Sequence, residues 1–86
     1  MRVEVRLFAT LAAFLPPESR DGAAIVEISE GSTVRDVIRR LGIPADLERV
    51  TLVNGRDSSP DDRLHPNDVL TVFPPLAGGS PAQQRR

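Results

Sequence analysis

The sequence predicts an α+β fold, a mixed sheet with one main helix packed on one of its faces. Three observations predict it. The chain opens with Val3, Val5 and Leu7 alternating with Arg2, Glu4 and Arg6, the period of a strand with one buried face. Its middle holds a single amphipathic helix with start and stop signals at both ends. Its last strand-like stretch, "VLTVF", is apolar at every position but Thr71. Such a strand is either covered on both faces or borders a contact surface.

Taken in order, the elements are as follows. After the first strand, Phe8, Leu11, Phe14 and Leu15 recur at helical spacing until Pro16-Pro17, where a helix must stop. A short helix or helical turn is expected there. "PPESRDG" is a polar loop rich in breakers. "AAIVEIS" is the second strand, with Val26 and Ile28 on one face and Glu27 on the other, and "EGS" is a turn. In "TVRDVIRRLGIP", Val34, Val37, Ile38 and Leu41 fall on one face of a helix. Thr33 is the expected N-cap, with Asp36 at capping-box spacing. Arg39 and Arg40 occupy the last turn, where the helix dipole favours cations. Gly42 suits the left-handed position after the helix, Ile43 can close a hydrophobic contact, and Pro44 prevents continuation. "RVTLVNGRD" is a strand running into Asn54-Gly55, the strongest short hairpin signal. "SSPDDRLHPND" is mostly loop anchored by Leu64, and Asn67-Asp68 is a turn. The first and last strands both have the hydrophobicity of central strands and are expected to pair in parallel. An N-terminal hairpin, one helix and this pairing make the β-grasp pattern.

Eighty-six residues suit one small domain with a modest core. There is no cysteine, which removes a disulfide framework, a thiolate metal site and a cysteine nucleophile together. The 11 basic residues are all arginine, set among 12 acidic ones for a net charge of −1, so no phosphate-binding stripe forms. Only three aromatics occur, all phenylalanine, which gives little support for base stacking. Nucleic-acid binding is not expected. No apolar run could span a bilayer. "MRVEVRLF" reads as a strand and not as a signal peptide, so the expected compartment is the cytoplasm, without a membrane partner.

Catalytic constellations are missing too. "LAGGSP" lacks the lysine and following helix of a phosphate loop. His65 has no nucleophile or orienting partner in view. Asp61-Asp62 lacks the spaced ligands of a calcium loop. Ser32, Ser58 and Ser59 have no activating neighbour. An enzyme acting alone is not expected, nor is a bound metal or cofactor.

The remaining signal is the end, "TVFPPLAGGSPAQQRR". Together with "LFATLAAFL", "EGSTVRDVIRRL", "VTLVNGR" and "DRLHPNDVLTVFPPLAGG", it resembles the ubiquitin-like sulfur carriers, a family that includes the small subunit of molybdopterin synthase and the thiamine-pathway carrier. The resemblance covers residues 1–79. It implies a protein-borne sulfur donor whose C-terminal glycine carboxylate, here Gly79, is the working group. A ubiquitin-activating-type adenylyltransferase adenylates that carboxylate with ATP. Sulfur then replaces AMP to give a thiocarboxylate, which a sulfur-accepting synthase subunit receives. The residue chemistry fits: Gly78 and Gly79 carry no side chain to obstruct a narrow cleft. Pro74 and Pro75 cannot extend the ladder and favour a stiff, extended arm. The arm Pro74, Pro75, Leu76, Ala77, Gly78 and Gly79 would reach ~20 Å. The family's apolar partner patch maps onto Phe8, Phe73 and Leu76; ordinary core is the other reading of the two phenylalanines. The resemblance is greatest to the molybdopterin synthase small subunit and implies molybdopterin biosynthesis as the receiving pathway. An apolar residue that the family often has after the hairpin turn is replaced here by Arg56 and Asp57, which keeps thiamine, cysteine and tRNA thiolation as alternatives. A ubiquitin-like modifier conjugated through Gly79 is the alternative. The absent lysine fits an acyl-activated terminus, because the carrier has no ε-amine of its own to acylate. Residues 80–86 are expected to be a disordered tail that blocks Gly79 until a JAMM-type zinc protease cuts between Gly79 and Ser80; a cloning remnant is the other explanation.

Overall fold

In the chain's computed structural model, residues 1–75 are described. The elements are β1 (Arg2–Leu7), a 3₁₀ segment (Ala9–Phe14), β2 (Ala23–Glu27), α1 (Val34–Arg40), β3 (Val50–Val53), β4 (Arg56–Asp57) and β5 (Val69–Phe73). They form one five-stranded sheet in the order β2-β1-β5-β3-β4. β1 and β5 pair in parallel from Glu4↔Val69 to Leu7↔Val72. The other pairings are antiparallel. This is the expected α+β, β-grasp arrangement. Its core joins the inward residues of β1 (Val3, Val5, Leu7) and β5 (Leu70, Val72) to Val34, Val37 and Ile38 of α1.

α1 begins as the sequence requires. A helix start leaves backbone donors without intrahelical acceptors, and here each one is satisfied. Thr33 N–H donates to the Asp36 carboxylate at 2.9 Å, and Asp36 N–H donates to Thr33 Oγ1 at 3.3 Å, completing the capping box. Val34 and Arg35 N–H donate to the carbonyls of Asp62 and Pro60, both at 2.9 Å. The long loop before β5 is thereby tied to the helix. At the other end Gly42 takes φ +85°. Its N–H reaches Arg39 O at 3.0 Å and Ile43 N–H reaches Ile38 O at 3.2 Å, the paired bonds of a Schellman stop.

Two local readings gain detail. The stretch after β1 is a 3₁₀ segment, with a tighter turn than the α-helical spacing implied. Only Leu11 is buried in it; Phe14 and Leu15 pack partly against the core. Phe8 stays extended, at φ −115° and ψ 157°, because the chain breaks sharply at Ala9, which sits at φ +54°. A non-glycine residue in that region is uncommon, and nothing in the sequence around Ala9 signals it. The loop "PPESRDG" also ends in a tight hairpin. Asp21 and Gly22 have φ of 54° and 77°, and Arg20 and Ala23 exchange backbone bonds of 2.8 and 2.9 Å. The Asp-Gly dipeptide that favours such a turn was present in the sequence.

The Asn54-Gly55 turn behaves as expected, with φ of 53° and 84° joining β3 to β4. The Asn54 side chain does more than turn the chain. Its amide donates to Asp68 at 2.9 Å, and its oxygen accepts from Val69 N–H at 2.9 Å. The turn is thus clamped to the first residue of β5.

The helix start gives a stability prediction. Thr33→Ala is expected to lower unfolding free energy by ~1 kcal/mol, read by chemical denaturation. The hydrogen bonds from Thr33, chiefly its backbone N–H, hold the Asp36 carboxyl below its ordinary 3.8. A lowered folded value means stabilisation that is present above the ordinary value and lost as pH falls through the folded one. Asp36→Asn should therefore be less stable than the parent near neutrality. The difference should narrow in thermal unfolding as the pH is taken below the ordinary aspartate range.

Candidate functional site at the end of the central strand

β5 lies between β1 and β3, so the chain leaves the sheet from its middle. Pro74 and Pro75 follow Phe73 immediately. Neither can donate to a neighbouring strand, and the ladder stops. Parallel pairing brings the carboxyl ends of β1 and β5 to the same end of the sheet. Phe8 N–H donates to Val72 O at 3.1 Å, carrying the pairing one step beyond Leu7↔Val72. Strand alternation then sets Phe8 and Phe73 on the same face, in neighbouring register positions.

That face is turned away from α1. Val5, Leu7, Leu70 and Val72 point into the core, so Glu4, Arg6, Val69, Thr71 and Phe73 point outward. Their cross-strand partners Val50 and Leu52 join them there. Phe8 is 49% exposed, Phe73, Val50 and Leu52 are half-buried, and neither phenylalanine belongs to the core cluster. The strand expected to be apolar on both faces therefore has one packed face and one half-covered face bordering open surface. A hydrogen-bonded ion pair between Arg6 and Glu4 sits on the same face.

Pro75 marks the lip of a groove of about 580 Å³ on the helix side, between α1 and the β3–β4 hairpin. One wall is stitched by Ser58 and Thr51. Ser58 N–H donates to Thr51 O at 3.1 Å, and Ser58 Oγ donates to the same carbonyl at 3.2 Å and to Thr51 Oγ1 at 3.0 Å.

Of the sequence-derived site residues, Phe8, Phe73, Pro74 and Pro75 meet at one end of the sheet. Leu76, Ala77, Gly78, Gly79 and the 80–86 tail lie outside the described residues. Arg56 and Asp57 form the short exposed strand β4. His65 is exposed on its loop, with Nδ1 3.7 Å from Asp68 Oδ2. Asp61 pairs with Arg35 at 2.5 Å, while Asp62 accepts from Ser59 N–H at 2.9 Å. Among the described residues no group of His, Asp and Glu is arranged to hold a metal ion, and no helix is long and apolar enough to cross a membrane.

A β-grasp sheet whose central strand ends at Pro74-Pro75 beside an apolar face is the arrangement of a ubiquitin-like protein. The sequence model of the Mut7-C ubiquitin family matches residues 1–78, and the chain belongs to that family. Comparison with curated proteins yields no match. Solved structures agree on the fold. Small archaeal modifier protein 1 of Haloferax volcanii superposes with a TM-score of 0.71 at 24% identity, over 92% of this chain and 100% of that one. A putative molybdopterin converting factor subunit 1 from Pyrococcus furiosus gives 0.66 at 29% identity, over 87% of this chain and 98% of that one. A chain from the complex of subunits 1 and 2 of the molybdopterin-converting factor of Helicobacter pylori gives 0.59 at 19% identity, over 92% and 100%. These neighbours are a modifier protein and subunits of molybdopterin-converting factors.

The two kinds of apolar residue near β1 are expected to respond differently to truncation. Phe8→Ser should change unfolding free energy by no more than about 0.5 kcal/mol, as at an exposed site. Leu11→Ala, at a fully buried position, should cost about 2–5 kcal/mol. Denaturant titration of both variants measures the contrast.

Proposed function

We propose that the chain is a sulfur carrier that works through the carboxylate of Gly79, exposed once residues 80–86 are removed. An adenylyltransferase of the ubiquitin-activating type joins AMP from ATP to that carboxylate and releases pyrophosphate. A sulfur donor then displaces AMP, leaving a glycyl thiocarboxylate for an acceptor synthase subunit. The observation that carries this reading is the siting of the exit. Pro74 and Pro75 detach an arm from the central strand next to Phe8 and Phe73, a half-covered apolar face on which a partner could seat while the arm enters its cleft. The 29% identity to a putative molybdopterin converting factor subunit 1 supports molybdopterin synthesis as the receiving pathway. The chain would then act as a non-catalytic partner of the synthase, with the protease of the JAMM type as its processing enzyme.

A second reading rests on the likeness to a small archaeal modifier: Gly79 forms an isopeptide bond with lysines of other proteins. Supply of a sulfur acceptor in thiamine, cysteine or tRNA pathways uses the same carrier chemistry. The two classes separate by intact mass. A chain ending at Gly79, incubated with ATP, an adenylyltransferase and a sulfide source, is expected to exchange one oxygen for sulfur. The 86-residue chain and a variant lacking Gly78 and Gly79 are expected to remain unchanged. Lysine-linked conjugates without any sulfur-bearing species would decide for the modifier, and unchanged biological activity of the deletion variant would remove both readings.

A further inference from the structure

The helix side carries a charged cleft. Arg35 and Arg39 of α1 and Arg49 of the following loop line a space of about 280 Å³ over Ile38, Ile43 and Pro60. Among the described residues no carboxylate lines it. Arg49 Nη1 donates to the carbonyls of Ala45 at 3.3 Å and Leu47 at 2.8 Å. Those partners fix the guanidinium without neutralising it. Arg39 makes no ion pair among the described residues, and only Arg35 has a carboxylate partner, Asp61. Asp36 feels both Arg39 and Arg35, but its carboxylate is committed to Thr33 N–H.

Two guanidiniums without ion-pair partners among the described residues therefore border one cleft. Gathering like charges is unfavourable until an anion arrives. Arg49 is already held in place, so less side-chain freedom is lost when it binds. Its planar fork retains N–H donors suited to a carboxylate. The cleft continues into the larger groove that ends at Pro75, where Leu47 is 39% exposed and Asp46, Glu48 and Asp57 line the walls. Arg35 and Arg49 line both spaces, and Leu47 and the carboxylates join them only in the larger one. A free inorganic anion would satisfy the arginines and leave Leu47 uncovered. A peptide with a carboxylate followed by an apolar side chain satisfies both, and the cleft has room for single side chains and not for a folded domain.

We propose that this groove docks an acidic, apolar peptide segment of a partner protein, with its carboxylate between Arg39 and Arg49 and its apolar side chain against Leu47. The site is independent of the glycine chemistry proposed above and lies on the opposite side of the sheet from Phe8 and Phe73.

The test is an amide chemical-shift titration of the isotope-labelled full chain with a capped synthetic peptide of alternating aspartate and leucine. Saturable shifts are expected at Arg39, Ile43, Ala45 and Leu47. Arg39→Glu should weaken binding about tenfold, the loss of one charged hydrogen bond. Arg49→Gln, which keeps a donor for the loop carbonyls, should weaken it as well. Arg40→Glu makes the same charge change on the same helix but outside the cleft, and should retain affinity. The spectrum of each unliganded variant reports whether it is folded. The proposal is overturned by an absence of shifts, by equal loss in Arg40→Glu, or by the same shifts with inorganic phosphate at equal concentration. Shifts at these amides that depend on protein concentration alone would also overturn it, by making a second copy the occupant.

Discussion

The parallel pairing of β1 with β5 is the constraint on which the rest of the molecule depends. Strands far apart in sequence can pair in parallel only through a long crossover connection, and here α1 and the β3–β4 hairpin lie within that connection. The pairing sets Val3, Val5 and Leu7 beside Leu70 and Val72, a strip that the apolar face of α1 covers. It also decides which end of the sheet carries the exit of the chain. Antiparallel pairing would have sent Phe8 to the opposite end from Phe73. Core and candidate site are thus consequences of one register.

How much of this was legible in the sequence varies with the reach of each interaction. α1 was legible at both ends because its signals are local: Thr33 with Asp36, and Gly42 with Ile43, act within a few residues. Asn54-Gly55 was legible as a turn for the same reason. Its clamp on Asp68 and Val69 was not, since those partners become neighbours only when β3 and β5 pair. The alternation in β1 identified its buried face. The double-sided apolar pattern of β5 left two meanings open, and the half-burial of Val69, Thr71 and Phe73 selects the one that borders a surface. Phe8 misled the helical count because the turn at Ala9 depends on a backbone conformation that alanine does not advertise.

The candidate site divides in the same way. Its proposed reactive residues, Gly78 and Gly79, are a matter of composition and order, and the sequence is their whole support. Its setting is three-dimensional: the adjacency of Phe8 and Phe73 follows from strand pairing, and the meeting of Arg39 with Arg49 follows from the Schellman stop, which turns the chain back along the helix. The two sides of the sheet consequently differ in character. The outer side is apolar near the exit, whereas the helix side offers a groove lined by arginines and carboxylates.

The central location of β5 has a mechanical consequence. A partner that grips the arm and pulls along the strand axis loads the hydrogen bonds to β1 and to β3 together, in shear. A strand at the margin of the sheet would put the same load on a single ladder. Tension applied at Pro74 is therefore shared between two ladders, each carrying part of the load.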